Sequence, residues 1–364
     1  MKLTMNSAIV HGIIGPSPNL IAVNVGHRSG DNLSISYLKW AGGKYRVAQV
    51  LLEMFTKTGQ LSHEYWSVDS NQQYHEWFGG GLSMYFVLRK EGFIHNDAIS
   101  HLNDFSEALI NSARIVQNTS PKKIYNQLEK LRLEYIDSLE GKEIPRNEKD
   151  DVRNKRFYYL RRKEFNEINQ TLITKGKLSN NNQLRFCSLM IFLNKTCYNG
   201  IHRVNKKGEM NVPEGDYPEL KAIRTEKEIR TCGKLLENSS LTSGDWRDSI
   251  HLVKGGDLVY IDPPYAKSSN HKRGFTTYST VGFTEQDQID LAHQSCHLVR
   301  TKGCRVIASN HNTKWVQNVY REAAKVAGVE ILFRHIKVAR AANRDGKGRE
   351  SVPELLMFIY PENR

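Results

Sequence analysis

The stretch DLVYIDPPY, residues 257–265, limits the fold more than any other part of the chain. Its apolar, β-branched run reads as a buried strand. The prolines that follow cannot donate to a sheet ladder, so the strand must end there. An acid and an aromatic ring, Asp262 and Tyr265, are therefore carried on a stiff backbone at a strand end. Asp-Pro and Pro-Pro are also ordinary turn signals. Open α/β sheets, however, collect their ligands at the carboxyl ends of strands, which suits a site equally well.

The remaining sequence has the rhythm of such a sheet. YLKWAGGKYRVAQVLLEMF reads as loop then helix, QYHEWFGGGLSMYFVL as strand, tight turn and helix, and GFIHND as a strand ending in Asp97. CRVIASN and ELLMFIY read as later strands. Alternating strands and helices predict βαβ units. Between them, residues 114–183 turn charged, as in RNEKDDVRNKRFYYLRRKEFNEINQTL, with helical spacing and little to build a core. The expected organisation is an N-terminal extension over 1–36, a catalytic domain from 37–113 and 184–364, and an inserted helical domain over 114–183. A polar hairpin is expected at about 199–215. The extension is broken by Gly, Pro and Asn and does not read as a signal segment.

Charge narrows the partners. Lys and Arg number 52 against 39 Asp and Glu, a net charge of +13 that favours a polyanion. No apolar run approaches the roughly 18 residues of a spanning helix, so no membrane attachment is expected. The 5 cysteines form no C-x-x-C pair and read as small core residues in a reducing cytoplasm. No metal-ligand cluster and no Pro-Cys nucleophile appears, so metal chemistry and a thiolate intermediate are not expected.

EWFGGGLS would let backbone approach a ligand at the start of a helix. Asp97 lies about 20 residues further on, the spacing at which nucleoside-binding folds hold a ribose. Neither the phosphate-loop pattern nor G-x-G-x-x-G is present. A nucleoside cofactor without a pyrophosphate, such as S-adenosylmethionine, suits this region.

Together KWAGGK, EWFGGG, FLNKTCYNGIHRVNKKGEMNVPEG, DPPY and FTEQDQIDLA, in this order, resemble the Dam-like DNA adenine-N6 methyltransferases of the D-P-P-Y class and α motif order. The resemblance implies a Rossmann-like, S-adenosylmethionine-dependent methyltransferase sheet with an inserted, mostly helical DNA-recognition domain and a β-hairpin. The implied reaction is site-specific: the target adenine is flipped out of the duplex and methylated directly on N6, within GATC-like sites by default. Asp262 and the Pro263 carbonyl would accept the N6 protons, Pro264 would stiffen the turn, and Tyr265 would stack on the base.

For the cofactor, the resemblance implies Lys39, Trp40, Ala41, Gly42, Gly43 and Lys44 from the first block, then Glu76, Phe78 and Gly80 of the glycine loop. It adds Asp97 for the ribose, Asp245 and Trp246 beside the adenine ring, and Asp262. Asp245 in SGDWRD also reads as a simple turn or cap acid. The chain departs from the family's E-P-F-x-G-x-G loop at Trp77 and Leu82. Double-stranded DNA would be met by Arg203, Asn205, Lys206 and Lys207 of the hairpin and by Arg161 and Arg162 of the helical zone. A cognate restriction endonuclease would be a genetic partner, and a bacterial cytoplasm or virus-infected cell the setting. Oligomeric state is left open. RNA or cytosine-N4 methylation, and noncatalytic nucleic-acid binding, are the alternatives to be separated.

Overall fold

The computed structural model describes residues 35–40, 44–55, 61–139, 153, 156–217, 220–265, 282–339 and 351–362. The extension up to residue 34 and the site candidates Ala41, Gly42 and Gly43 lie outside them.

The strands are β1 (Tyr74–Glu76), β2 (Ser100–Asp104), β3 (Ser239–Ser243), β4 (Leu258–Ile261), β5 (Arg305–His311), β6 (Val329–Ala339) and β7 (Ser351–Pro361). They form a sheet in the order β3-β2-β1-β4-β5-β7-β6, parallel except for β7, which runs antiparallel to β5 and β6. The expected α/β, Rossmann-like class is what this order describes. Chain order reverses between β1 and β4, where Glu76 is in register with Tyr260. That reversal opens a crevice at the carboxyl edge, and both EWFGGG and DPPY leave the sheet there.

The helices are α1 (Tyr45–Met54), α2 (His63–Trp66), α3 (Ser83–Lys90), α4 (Glu107–Asn118), α5 (Pro121–Leu139), α6 (Phe157–Lys175), α7 (Asn180–Thr196), α8 (Glu226–Leu235), α9 (Glu285–Lys302) and α10 (Lys314–Ala327). Local chemistry sets many of their ends. Ser106, Ser179 and Thr313 cap α4, α7 and α10, while Thr225 with Glu228 and Thr284 with Asp287 form capping boxes on α8 and α9. None of the described helices is long and apolar enough to cross a membrane.

Two sequence expectations need correction. GFIHND is not a strand; Ile94 makes only an isolated bridge to Val68, and the neighbouring strand is the more polar SHLND, β2. Second, the helical zone is not poor in core. Tyr135 of α5, Tyr158 and Phe165 of α6 and Phe186 of α7 are fully buried in the same cluster as Tyr74 and Leu102 of the sheet. The aromatics of YYLRRKEFN, interleaved with charge, form a helix face that packs inward.

The hairpin is held by its own turn and by α6. Asn205 N–H donates to the Glu209 carbonyl at 2.9 Å, Val204 bridges Met210, and Asn205 Oδ1 accepts the N–H groups of Lys207 and Glu209. Side chains one turn apart along α6 then grip the returning arm. Tyr158 and Arg162 donate to the Val212 carbonyl, Asn166 bonds both the N–H and the carbonyl of Met210, and Gln170 donates to the Lys207 carbonyl.

Candidate active site

The glycine turn after β1 is shaped by what crowds it. A Cβ on Gly80 or Gly81 would lie 2.7 Å from Trp40, and one on Gly79 would lie 2.6 Å from Leu82 Cδ2. Leu82 adopts φ 54° and ψ 26°, the left-handed region usually given to glycine. That conformation costs about 1–2 kcal/mol for an L residue. Complete burial of a leucine side chain is worth about 1.5–3 kcal/mol, enough to offset it, and Leu82 is 2% exposed. Leu82 thus holds the position of the family's last loop glycine in a left-handed conformation. Trp77, standing for the family's proline, is buried and stacked on Trp246 with ring centroids 5.5 Å apart.

Acids gather around this turn. Glu76 ends β1 in full burial and accepts the Tyr74 hydroxyl at 2.7 Å; burial pushes its carboxyl up to about 8. Asp104 ends β2 and accepts the N–H groups of Gly80 and Ser106, each at 2.8 Å, while burial raises its pKa. Asp97, expected to take the ribose, instead lies before β2 at the amino edge, exposed and 3.7 Å from His95. The true strand-end acid is Asp104, 7 residues later. The strand ahead of it, SHLND, is too polar to read as a strand from sequence. Phe105, which follows, is 53% exposed.

Trp246 is buried among Trp77, Phe78 and Arg247, with Phe283 edge-on to Phe78 at 5.7 Å. Asp245 caps the short helix Trp246–Leu252 by accepting the Arg247 N–H, the plainer of its two sequence readings. Among the described residues, the buried indole nitrogens of Trp77 and Trp246 find no hydrogen-bond partner.

The first block divides. Ser36 Oγ donates to the Gly81 carbonyl, and Trp40 lies against the glycine turn while stacking on buried His202 at 5.3 Å. Lys39 is exposed, with its N–H and carbonyl clamped by the Asn194 amide at 2.7 and 2.8 Å and its stem over Gly200. The structure therefore groups Trp40 with the glycine turn and Lys39 with the base of the hairpin.

DPPY leaves β4 beside this turn. Lys44 Nζ lies 3.3 Å from Asp262 Oδ1, 3.5 Å from Glu354 Oε2 and 4.4 Å from the centre of the Tyr265 ring. It also donates to the Tyr265 hydroxyl at 2.5 Å, and that hydroxyl donates to Glu354. His311 packs edge-on to Tyr265 at 4.6 Å. Burial raises the pKa of Asp262; the Lys44 charge and the Ser309 hydroxyl pull the other way without overcoming it. Pro263 is buried, and the Pro264 carbonyl accepts Gln288 Nε2 at 2.6 Å, with Gln288 in turn held by Asn310. Glu354 and Asn310 are not singled out in the sequence, and Gln288 enters only as part of the FTEQDQIDLA block.

Of the expected DNA contacts, Lys206 and Lys207 are exposed at the hairpin tip, and Arg203 is exposed while bonded to Asn211. Asn205 organises the turn. Arg161 pairs with Glu164 at 3.0 Å over the Phe157 ring, and Arg162 bonds Val212 and covers Tyr159. Both arginines thus make contacts within the protein. The 5 cysteines are buried, and burial pushes each thiol up to about 12. Among the described residues, no group of three or more His, Cys, Asp or Glu is arranged to hold a metal.

Comparison with known proteins identifies this arrangement. Residues 40–335 match the family model for D12 class N6 adenine-specific DNA methyltransferases. The chain is 31% identical over 325 residues to the type II methyltransferase M.MjaIII of Methanocaldococcus jannaschii, covering 89% of this chain and 98% of that protein. It is 27% identical over 327 residues to the DNA adenine methylases of Escherichia coli K12 and of Vibrio cholerae, covering 90% of this chain and at least 95% of each of theirs. With a D-P-P-Y acid and aromatic at the sheet's reversal point and a glycine turn beside them, the chain belongs to the D12 class of N6 adenine-specific DNA methyltransferases.

Proposed function

We propose that the protein extrudes its target adenine from duplex DNA and methylates N6 with S-adenosylmethionine as donor. The observation that carries this reading is the convergence of Asp262, Tyr265 and the glycine turn on one crevice. A donor with a sulfonium and an ammonium suits a site where burial holds the carboxyls of Glu76 and Asp104 above their usual range. Glu76 would hold the ammonium, Asp104 the ribose in place of Asp97, and Phe78, Phe105, Trp246 and Phe283 the adenine ring. Gly80 and Gly81 would allow close backbone approach. The bound cofactor supplies an electrophilic methyl group and needs alignment only.

The protein's own groups do the rest. The N6 lone pair of adenine is delocalised into the ring. Hydrogen bonds from its two N–H groups to Asp262 and the Pro263 carbonyl would localise that pair and stabilise the positive charge that develops on nitrogen, and after methyl transfer one N6 proton would leave by way of the Asp262 carboxylate. Tyr265 would give the extruded base a stacking face, worth about 1–3 kcal/mol. The bond from Gln288 to Pro264 supports this by fixing the turn.

The hairpin and the helical zone 114–183 would face the duplex, with Lys206 and Lys207 on phosphate. A GATC-like site remains the default target. The type II name of M.MjaIII supports a cognate restriction endonuclease as a genetic partner, and a DNA substrate supports a cytoplasmic setting. The test is base-resolution mapping of a plasmid library methylated by the purified protein. N6-methyladenine in one short sequence is expected; N4-methylcytosine, or no product with an active donor, would overturn the reading.

A further inference from the structure

The polar groups behind Asp262 form a chain with a fixed direction. Ser309 on β5 is fully buried, its Oγ 2.8 Å from Asp262 Oδ1 and 3.0 Å from the Tyr260 hydroxyl. A carboxylate only accepts, and a serine hydroxyl has one proton to give. With that proton directed to Asp262, the Ser309 oxygen accepts from Tyr260, whose phenol is kept protonated by burial. Tyr260 is itself immobile, in register with Glu76 on one side and Ile307 on the other. The Ser309 and Lys44 contacts converge on Oδ1, so the carboxylate is gripped by one oxygen and has the other to offer.

We propose that Ser309 and Tyr260 form a positioning pair that orients the Asp262 carboxylate toward the target amino group. The inference rests on Asp262 accepting a hydrogen bond from the N6 amino group. Rotation of a carboxyl about its terminal torsion is soft; a donor on a central strand selects one orientation before substrate arrives, which is where positioning lowers a barrier. The groups facing Asp262 are Lys44 ahead of α1, Glu76 on β1, Glu354 on β7, Ser309 on β5, and Tyr260 and Tyr265 of its own segment. Lys44 and Ser309 favour the ionised form, and Glu354 and Glu76 oppose it. Removing Ser309 thus removes one of two supports.

The test uses the full chain, duplex DNA and S-adenosylmethionine. In Ser309→Ala, kcat at neutral pH should fall roughly tenfold or more, with KM for both substrates within about twofold of wild type. The acid limb of the kcat profile should move to higher pH. Tyr260→Phe keeps the ring and the bond from Ser309 to Asp262 but loses the hydroxyl that donates to Ser309, and should move the limb the same way by less. It carries the test alone if Ser309→Ala does not fold. Wild-type kcat with an unmoved limb, or a loss of kcat equal at every pH, overturns the positioning pair. Those outcomes leave adenine methylation standing, whereas absence of N6-methyladenine from the wild-type product strikes the reaction itself.

Discussion

The two edges of the central sheet bury charge in opposite ways. At the amino edge, Asp257 accepts the N–H groups of Gln73 and Lys254 at 2.9 and 2.7 Å and contacts His75 Nε2 at 2.9 Å. Burial pushes its carboxyl up, but these bonds more than offset it and the pKa ends below the usual range. Nearby, buried Arg305 bonds the carbonyls of Tyr65, Ser67 and Gly256 and the side chain of Gln72. At the carboxyl edge, Glu76, Asp104 and Asp262 all end above their usual range because burial wins. At one edge hydrogen bonds outweigh the burial of the Asp257 carboxylate; the other holds acids at a cost that a cationic guest can relieve.

The contrast can be broken by substitution. The largest expected effect is on Asp262→Ala, which should lower methyl transfer on the order of a hundredfold or more while filter binding of DNA persists. Near-wild-type turnover would remove Asp262 from the chemistry. Asp257→Ala should do the reverse: thermal unfolding should show a loss on the order of 3 kcal/mol, because two backbone donors are stranded in the core, with activity per folded molecule retained.

Intermediate effects sharpen the picture. Tyr265→Ala should cost about 1–3 kcal/mol in productive complex formation, and Tyr265→Phe should retain most of it; 2-aminopurine fluorescence at the target base reads the difference. Glu76 supplies a pH signature. A carboxyl raised from 4.5 to about 8 on folding holds its proton in the folded state and loses it on unfolding. Stability therefore falls as pH rises between those values. Glu76→Gln should melt progressively higher than wild type across that window, yet bind S-adenosylmethionine more weakly. A pH-independent difference would mean that Glu76 is ionised. The smallest effect is that of the Lys206→Ala, Lys207→Ala double variant, whose DNA affinity should weaken similarly on all sequences with a salt slope lower by about 2.

Legibility along the chain followed the same division. DLVYIDPPY could be placed because it joins an apolar strand to prolines that must stop it, and CRVIASN because of its apolar run; this local chemistry survives in any surroundings. SHLND and SSLTS could not, since their strand character comes from neighbours on either side in the sheet. Sequence reading therefore set a strand end at Asp97, whereas β2 ends at Asp104. Arg161 and Arg162 read as free basic groups because sequence shows charge but not the Glu164 carboxylate or Val212 carbonyl that folding sets against them.

By itself, the order of residues determined the alternation of strands and helices, the stiff Asp262 to Tyr265 ending, the glycine turn and the polyanion-seeking charge. These depend on backbone restriction, hydrophobic period and composition, all properties of short segments or of the whole chain. Tertiary structure alone decided that Lys44, Ser309 and Glu354, from three distant segments, close around Asp262. It also decided which acids are raised and which lowered, because desolvation and hydrogen-bond supply are set by neighbours that only the folded sheet brings within a few ångströms.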